Sequence, residues 1–242
     1  LNKPLLLIDG DQFIHKATAA LEREVRWDDQ NHVLYSNVEE CWDNVKAMLD
    51  RIFERFSSTD HALCFTSAPN FRRELIDPTY KAARGQRKPL CYAALRERVD
   101  GNYNTVSYPG LEADDVMGIL ATKPGQRDNI IVSQDKDMKT IPTTVWDGKD
   151  LIKITEREAN YWHLYQTLVG DSSDGYKGCP GVGPVKARQI LELPYWGRVV
   201  FAFEKAGLGE AAALTQARLA RILRWNDWDT EEKKPKLWIP NL

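Results

Sequence analysis

Four tight groups of acids carry the chemistry that this sequence could do. They are Asp9-Gly10-Asp11, Glu112-Ala113-Asp114-Asp115, Asp135-Lys136-Asp137 and Asp171-Ser172-Ser173-Asp174. Each group alone has a plain structural explanation: acids in a first helical turn complement the helix dipole, and aspartates cap helices and shape turns. Together they read differently. If the fold brings them to one edge, several like charges share a small volume, and burial raises their pKa values instead of keeping them ionised. Hard divalent cations such as Mg²⁺ or Mn²⁺ resolve that conflict, because carboxylate oxygens are their preferred ligands. Two such ions about 4 Å apart activate water and stabilise the leaving oxygen in phosphodiester hydrolysis.

Basic residues concentrate elsewhere, at Arg72, Arg73, Lys81, Arg84, Arg87, Lys88, Arg96 and Arg98. In Tyr80-Lys81-Ala82-Ala83-Arg84 the spacing predicts Lys81 and Arg84 on one helical face, where they would meet a phosphate whose charge grows in the transition state. A solvated surface helix has the same spacing. In Gly178-Cys179-Pro180-Gly181-Val182-Gly183-Pro184-Val185-Lys186 a glycine turn opens directly onto a helix. Gly181 and Gly183 suit close backbone approach to a phosphate and Lys186 follows on the helix, a pattern expected of helix–hairpin–helix contact with DNA. The formal net charge of -2 does not exclude a polyanion, because charge of each sign is segregated along the chain.

The elements that must position these groups follow from hydrophobic patterning. Short apolar runs at 4–8, 61–65 and 129–132 read as buried strands, and the 3.6-residue periodicity over 38–56 reads as a helix, with another at 112–122. Alternating strands and helices imply an α/β domain with a largely parallel sheet, in which functional groups gather beyond the carboxyl ends of the strands. Asp9 and Asp135 lie near such ends. Beyond about residue 155 the pattern turns helical, at 156–169, 184–191, 198–206 and 211–225, with a Trp-rich tail folding back. The expected organisation is an α/β domain at 1–155 and a helical region at 156–242. The four cysteines are scattered singly, with no zinc-type spacing. No run is apolar enough to span a bilayer and no signal-peptide pattern opens the chain. A reduced, cytoplasmic setting is expected, with no membrane partner.

Taken in order, LLLIDGD (5–11), NFRREL…YKAARG (70–85), LEADDVMGILA (111–121), IIVSQDKDMKTIP (130–142), YWHLYQTLVGDSSDGYKGCPGVGP (161–184) and LARILRWND (219–227) resemble the 5′→3′ exonuclease and flap endonuclease family. That family includes the nuclease domain of bacterial DNA polymerase I and the short exonucleases of podophages. The resemblance implies a PIN-like fold, mostly parallel with helices on both faces, and a helix–three-turn–helix element in the C-terminal region. It assigns one metal to Asp9, Glu112, Asp114 and Asp115, and a second to Asp135, Asp137, Asp171 and Asp174. It makes 1–155 a nuclease domain with a basic helical arch around 72–98 and 156–242 a DNA-binding region, and it places Lys81, Arg84 and Lys16 at the scissile phosphate. Arg72, Tyr80, Arg87, Lys88, Gly181, Gly183 and Lys186 become expected DNA contacts, and the glycine turn a possible K⁺ site. The implied substrate is duplex DNA with 5′ ends or flaps, with RNA–DNA hybrids a further option, in phage replication and recombination.

One departure matters. The family usually carries an acid after the second strand, where this chain reads Thr66-Ser67. A catalytically weakened DNA-binding scaffold of the same fold therefore stays open. So does a haloacid-dehalogenase-type phosphatase with Asp9 as covalent nucleophile, although that leaves the glycine turn and the basic segment unexplained.

Overall fold

The computed structural model describes residues 3–83, 85, 87–125 and 128–240. In chain order the elements are β1 (Leu5–Asp9), α1 (Gly10–Ala19), β2 (Arg23–Arg26), β3 (His32–Tyr35), α2 (Val38–Phe56), β4 (His61–Cys64), α3 (Phe71–Leu75), α4 (Tyr92–Asn102), β5 (Thr105–Val106) and α5 (Ala113–Ala121). Then come β6 (Asn129–Val132), β7 (Thr144–Trp146), β8 (Leu151–Lys153), α6 (Glu156–Val169), α7 (Pro184–Ile190), α8 (Trp196–Lys205), α9 (Glu210–Ala220), β9 (Trp228–Asp229) and β10 (Lys234–Pro235).

One sheet organises the first two thirds of the chain, in the order β5-β4-β1-β6-β7-β8. Every pairing is parallel except the β7–β8 hairpin at the edge. β1 sits in the middle and is buried along its whole length, as a strand covered on both faces must be. Leu6 and Ile8 face α1, α2 and α4, together with Leu63, Phe65, Ile130 and Val132. Leu5 and Leu7 face α5, together with Ala62, Cys64 and Ile131. The chain leaves β1 toward β4 on one side and later returns to β6 on the other, so the carboxyl ends of β1 and β6 flank the topological switch point where such sheets bind ligands.

The C-terminal helices build their own core from Leu164, Leu168, Ala187, Val199, Phe203 and Ala213. They are stitched to the sheet by Ala159, Ile222, Leu223 and Trp228, which belong to the α5-side core. α9 stops at Ala220, short of the helix expected through 225, because the next residues run extended along α5 and find tertiary partners for their backbone. Gly118 permits that approach: a Cβ there would lie 2.3 Å from the Leu223 carbonyl oxygen. The tail then folds back as expected, with Trp228 stacked on Tyr108 at 5.2 Å.

Two segments differ from expectation. The basic stretch around 72–98 is not a continuous helical arch: α3 ends at Leu75, residues 76–83 form turns and α4 begins only at Tyr92. Pro78 and Pro89 interrupt helical hydrogen bonding, Asp77 accepts from the Thr79 N–H in a turn, and Lys81 takes a left-handed φ of 53°. The β2–β3 hairpin was not legible in advance, because it stands off the body with both faces exposed and so carries no burial periodicity.

Gly118→Ala should lower stability by about 1–3 kcal/mol, the cost of overpacking outweighing the better helix propensity of alanine. A urea unfolding midpoint checks this; an unchanged or raised midpoint would show that α5 does not need the close approach.

Candidate active site

Three strand or helix ends bring acids to the carboxyl edge of the sheet. Asp9 ends β1 and caps α1, accepting from the Gln12 N–H at 3.0 Å and from the Ser133 hydroxyl at 3.2 Å. Asp135 and Asp137 follow β6 in a short 3-10 turn that Asp135 caps, accepting from the Asp137 N–H at 2.8 Å. Glu112 caps α5, and Asp114 and Asp115 occupy its first turn. Asp171 and Asp174 arrive from beyond α6, in a turn closed by the reciprocal Asp171–Tyr176 bridge.

These acids divide by how their charge is met. Glu112 is buried, which alone would raise its pKa, but the Arg72 and Lys81 cations bring it down to about 2. Asp171 is likewise held at about 2, against burial, by hydrogen bonds from Ser173 and Lys136. Asp9, Asp114 and Asp137 face other carboxylates. Burial, reinforced by Asp11 and Asp135, pushes Asp9 up to about 6. Burial and Asp135 push Asp137 up to about 6. Burial, Asp9 and Asp135 raise Asp114. Oxygen-rich and short of positive charge, this donor set suits hard divalent cations in kind. Among the described residues no three His, Cys, Asp or Glu converge closely enough to hold an ion as they stand. Like charges repel at this range, and loading the site requires the carboxylates to draw together.

Arg72 and Asp115 are placed differently from expectation. Arg72, 2% exposed, donates to both Asp115 oxygens at 2.7 Å and to Glu112 at 3.0 Å. It also donates to the Leu219 and Arg221 carbonyls. Asp115, fully buried, accepts from Arg72 and from the Leu223 N–H at 3.0 Å. Its oxygens are engaged inside the fold, also accepting the Glu112 N–H at 3.3 Å, and Arg72 is placed as a buried internal anchor. Tyr80 is also internal, 3% exposed, with its hydroxyl 3.0 Å from Glu112 and 3.3 Å from Asp174.

The remaining basic residues scatter. Lys81 lies in a turn, not on a helical face, and its ammonium sits 2.5 Å from Glu112 and 3.5 Å from Asp174. Arg84 lies outside the described residues. Lys16, exposed, donates to Gln12 at 2.9 Å and Gln134 at 2.6 Å, on the helix that starts at Asp9. Arg87 pairs with Glu22, and Lys88 lies over the Tyr92 ring at 4.2 Å. Gly181 takes a φ of 70° with open space around it, Gly183 caps α7, and exposed Lys186 donates to the Gly181 carbonyl at 3.3 Å. Ser67, at the position of the missing acid, donates its backbone N–H to the Leu111 carbonyl beside Glu112. Gln166 and Ser133 were not foreseen. Gln166 on α6 donates to Asp137 at 2.5 Å, and no spacing in the sequence distinguishes it from any other helical glutamine.

The 5′-3′ exonuclease N-terminal resolvase-like domain matches residues 4–163. The exonuclease of Escherichia phage T7 is 32% identical, over 99% of this chain and 94% of its own. The fold is similar to that of the phage T5 D15 protein co-crystallised with metal ions, with a TM-score of 0.63 and 15% identity over 90% of this chain and 88% of that one. It is also similar to a pseudo-enzyme–product complex of the T5 D15 flap endonuclease with DNA and metal ions, with a TM-score of 0.59, 15% identity and the same coverage.

Two outcomes follow from the charge pattern. Asp115→Ala strands the Arg72 guanidinium in the core and should destabilise the protein by about 3–5 kcal/mol. Thermal or urea unfolding checks it, and a loss under 1 kcal/mol would mean that Arg72 is satisfied without Asp115. Asp9 acts in the opposite sense. With its pKa raised in the fold from 3.8 to about 6, it supports folding fully below pH 3.8 and loses that contribution as pH rises through about 6. In chelator, Asp9→Asn should therefore gain on the wild type between pH 4 and 7, by on the order of 2 kcal/mol. A difference that does not vary with pH would remove Asp9 from the repulsive cluster.

Proposed function

The chain belongs to the 5′-3′ exonuclease family, a nuclease of the exonuclease and flap-endonuclease type, and from that premise we propose a two-metal 5′→3′ exodeoxyribonuclease whose ions are held at the carboxyl edge of the sheet. The observation that carries this reading is geometric: Asp9 ends β1, Glu112 and Asp114 open α5, and Asp135 and Asp137 follow β6, so that acids from three chain segments gather at one edge, where burial and the neighbouring Asp135 raise Asp9, Asp114 and Asp137. Asp9, Glu112 and Asp114 would hold one ion, and Asp135, Asp137, Asp171 and Asp174 the other, Mg²⁺ or Mn²⁺ in each case. Bound there, such ions supply Lewis-acid activation of water and stabilisation of the leaving oxygen.

The chain's own residues do the rest. Lys81 and Arg84 orient the scissile phosphate, and Lys16, beside Asp9, offers a further cation to the strand. Gln166 and Ser133 fix the rotamers of Asp137 and Asp9. The exposed turn of Gly181 and Gly183 with Lys186 grips the duplex backbone, a role supported by its left-handed Gly181 and by the open space that both glycines have around them among the described residues. K⁺ at that turn and RNA–DNA hybrids as substrates belong to the same reading, as does work on phage DNA in the host cytoplasm. No helix among the described residues is long and apolar enough to cross a membrane. The phosphatase reading falls with the family. Ser67 supports one second reading, a scaffold that binds DNA without cutting it.

The test uses duplexes labelled internally and at the 5′ end, with blunt, recessed or flapped ends, in Mg²⁺, Mn²⁺ or chelator. Metal-dependent release of 5′-terminal nucleotides is expected. Asp114→Asn should slow it on the order of a hundredfold or more while DNA affinity in chelator stays within about threefold. Firm DNA binding with intact substrate under every metal would establish the scaffold instead.

A further inference from the structure

We propose that Lys81 is the site's built-in counter-cation: its ammonium ties Glu112 to Asp174 until divalent ions take over that charge, and only then is it released to a substrate phosphate. The inference rests on the metal reading given above and adds an order of events to it.

The geometry is specific. Among the described residues Lys81 is the cation that bridges an acid from the α5 group and an acid from the turn after α6, at 2.5 Å from Glu112 Oε1 and 3.5 Å from Asp174 Oδ2, beside the neutral Tyr80 hydroxyl that spans the same pair. Its side chain is only 13% exposed. The backbone is fixed in the inward-pointing pose. The Lys81 N–H donates to the Asp174 carbonyl at 2.7 Å, its own carbonyl accepts from Arg73 at 2.8 Å, and φ is 53°, a strained value for a residue with a side chain. A lysine so placed is not presented to an incoming phosphate. It serves the carboxylates.

Charge explains both the resting pose and its release. Without a metal, the Lys81 charge between Glu112 and Asp174, with Asp114 close by, relieves part of the repulsion at the acid edge. Divalent ions, one held by Glu112 and its group and one by Asp174 and its group, would remove the attraction that keeps the ammonium there and would repel it. The four-carbon stem lets the ammonium move without any change in the fixed backbone. Metal and inward Lys81 thus exclude each other. Because the two compete, whatever weakens the inward pose tightens metal binding, by at most the same factor. A substrate phosphate meets a free Lys81 only on a loaded site.

The test measures binding of Ca²⁺ and Mn²⁺ alone to the full chain by calorimetry, without DNA, for the wild type, Lys81→Met and Lys81→Arg. Lys81→Met should bind the ions at least about fivefold more tightly, and Lys81→Arg, which keeps the cation, no more tightly than the wild type. A melting curve confirms that each variant is folded. Independently, acetylation of Lys81 by an amine-reactive ester, read by peptide mass spectrometry, should be slow in chelator and at least about fivefold faster with Ca²⁺. Equal or weaker metal binding in Lys81→Met, or labelling that ignores Ca²⁺, overturns the proposal and leaves the metal site standing. No ion binding by any of the three proteins overturns the proposal and the metal reading together.

Discussion

A guanidinium with no access to water constrains this structure more than any other group. Arg72 sits where α3, the start of α5 and the extended stretch after α9 meet, and a charge buried there is tolerable only if every donor finds an acceptor. Asp115, Glu112 and the carbonyls of Leu219 and Arg221 meet that requirement, and the Leu223 N–H completes the coordination of Asp115. The stability such a pair adds is small against its desolvation cost. Its effect is to specify geometry. α9 has to end at Ala220 for the next carbonyls to face Arg72, and α5 has to carry a glycine where that strand passes. Glu112 is then held in one orientation at the edge of the site, although its partner lies in the core.

Beside this neutral anchor the acid edge is left short of positive charge. The same helix turn holds both regimes: Asp115 is fully paired, while Asp114, one residue earlier and on the other side of the helix, faces Asp9 and Asp135 and is raised. The difference comes from which side of α5 each side chain leaves, since neighbours in a helix point about 100° apart. Unmet charge at one edge is tolerable because it borders solvent and because Lys81, Lys136 and Lys16 lie along it. Stability is surrendered locally where a ligand can restore it, as functional sites commonly do.

Much of this was legible in the sequence, and the physical reason differs by element. β1, β4 and β6 show as apolar runs because both faces of a central parallel strand are buried, and α2 shows because one face is. The acids were legible as a set because four close-spaced groups are hard to explain as four separate caps. What failed was the division of roles inside a group. Glu112, Asp114 and Asp115 are equivalent by spacing, and only the tertiary position of Arg72, forty residues away from Glu112 in sequence, separates the acid paired in the core from the acid left at the edge. Helical spacing also misled at Lys81, since the period of a pattern says nothing once Pro78 and a left-handed residue break the helix. The β2–β3 hairpin, exposed on both faces, left no pattern to read.

The two cores of the molecule meet at the site, and this has a consequence for how it is assembled. Asp9, Asp135 and Asp137 are set by the sheet alone, but Asp171, Asp174 and the Gln166 donor to Asp137 come from α6 and the turn that follows it. That turn is itself pinned by contacts between Tyr80, Tyr176, Leu219 and Ala220, which join the basic segment, the acid turn and the end of α9. The second set of carboxylates therefore takes its place only when the C-terminal helices dock on the sheet, and the docking surface is the same Arg72 cluster that orients Glu112. One buried interaction thereby fixes the relation between both halves of the acid site. A sheet that folded without its C-terminal helices would hold an incomplete donor set, with Lys81 lacking its second carboxylate.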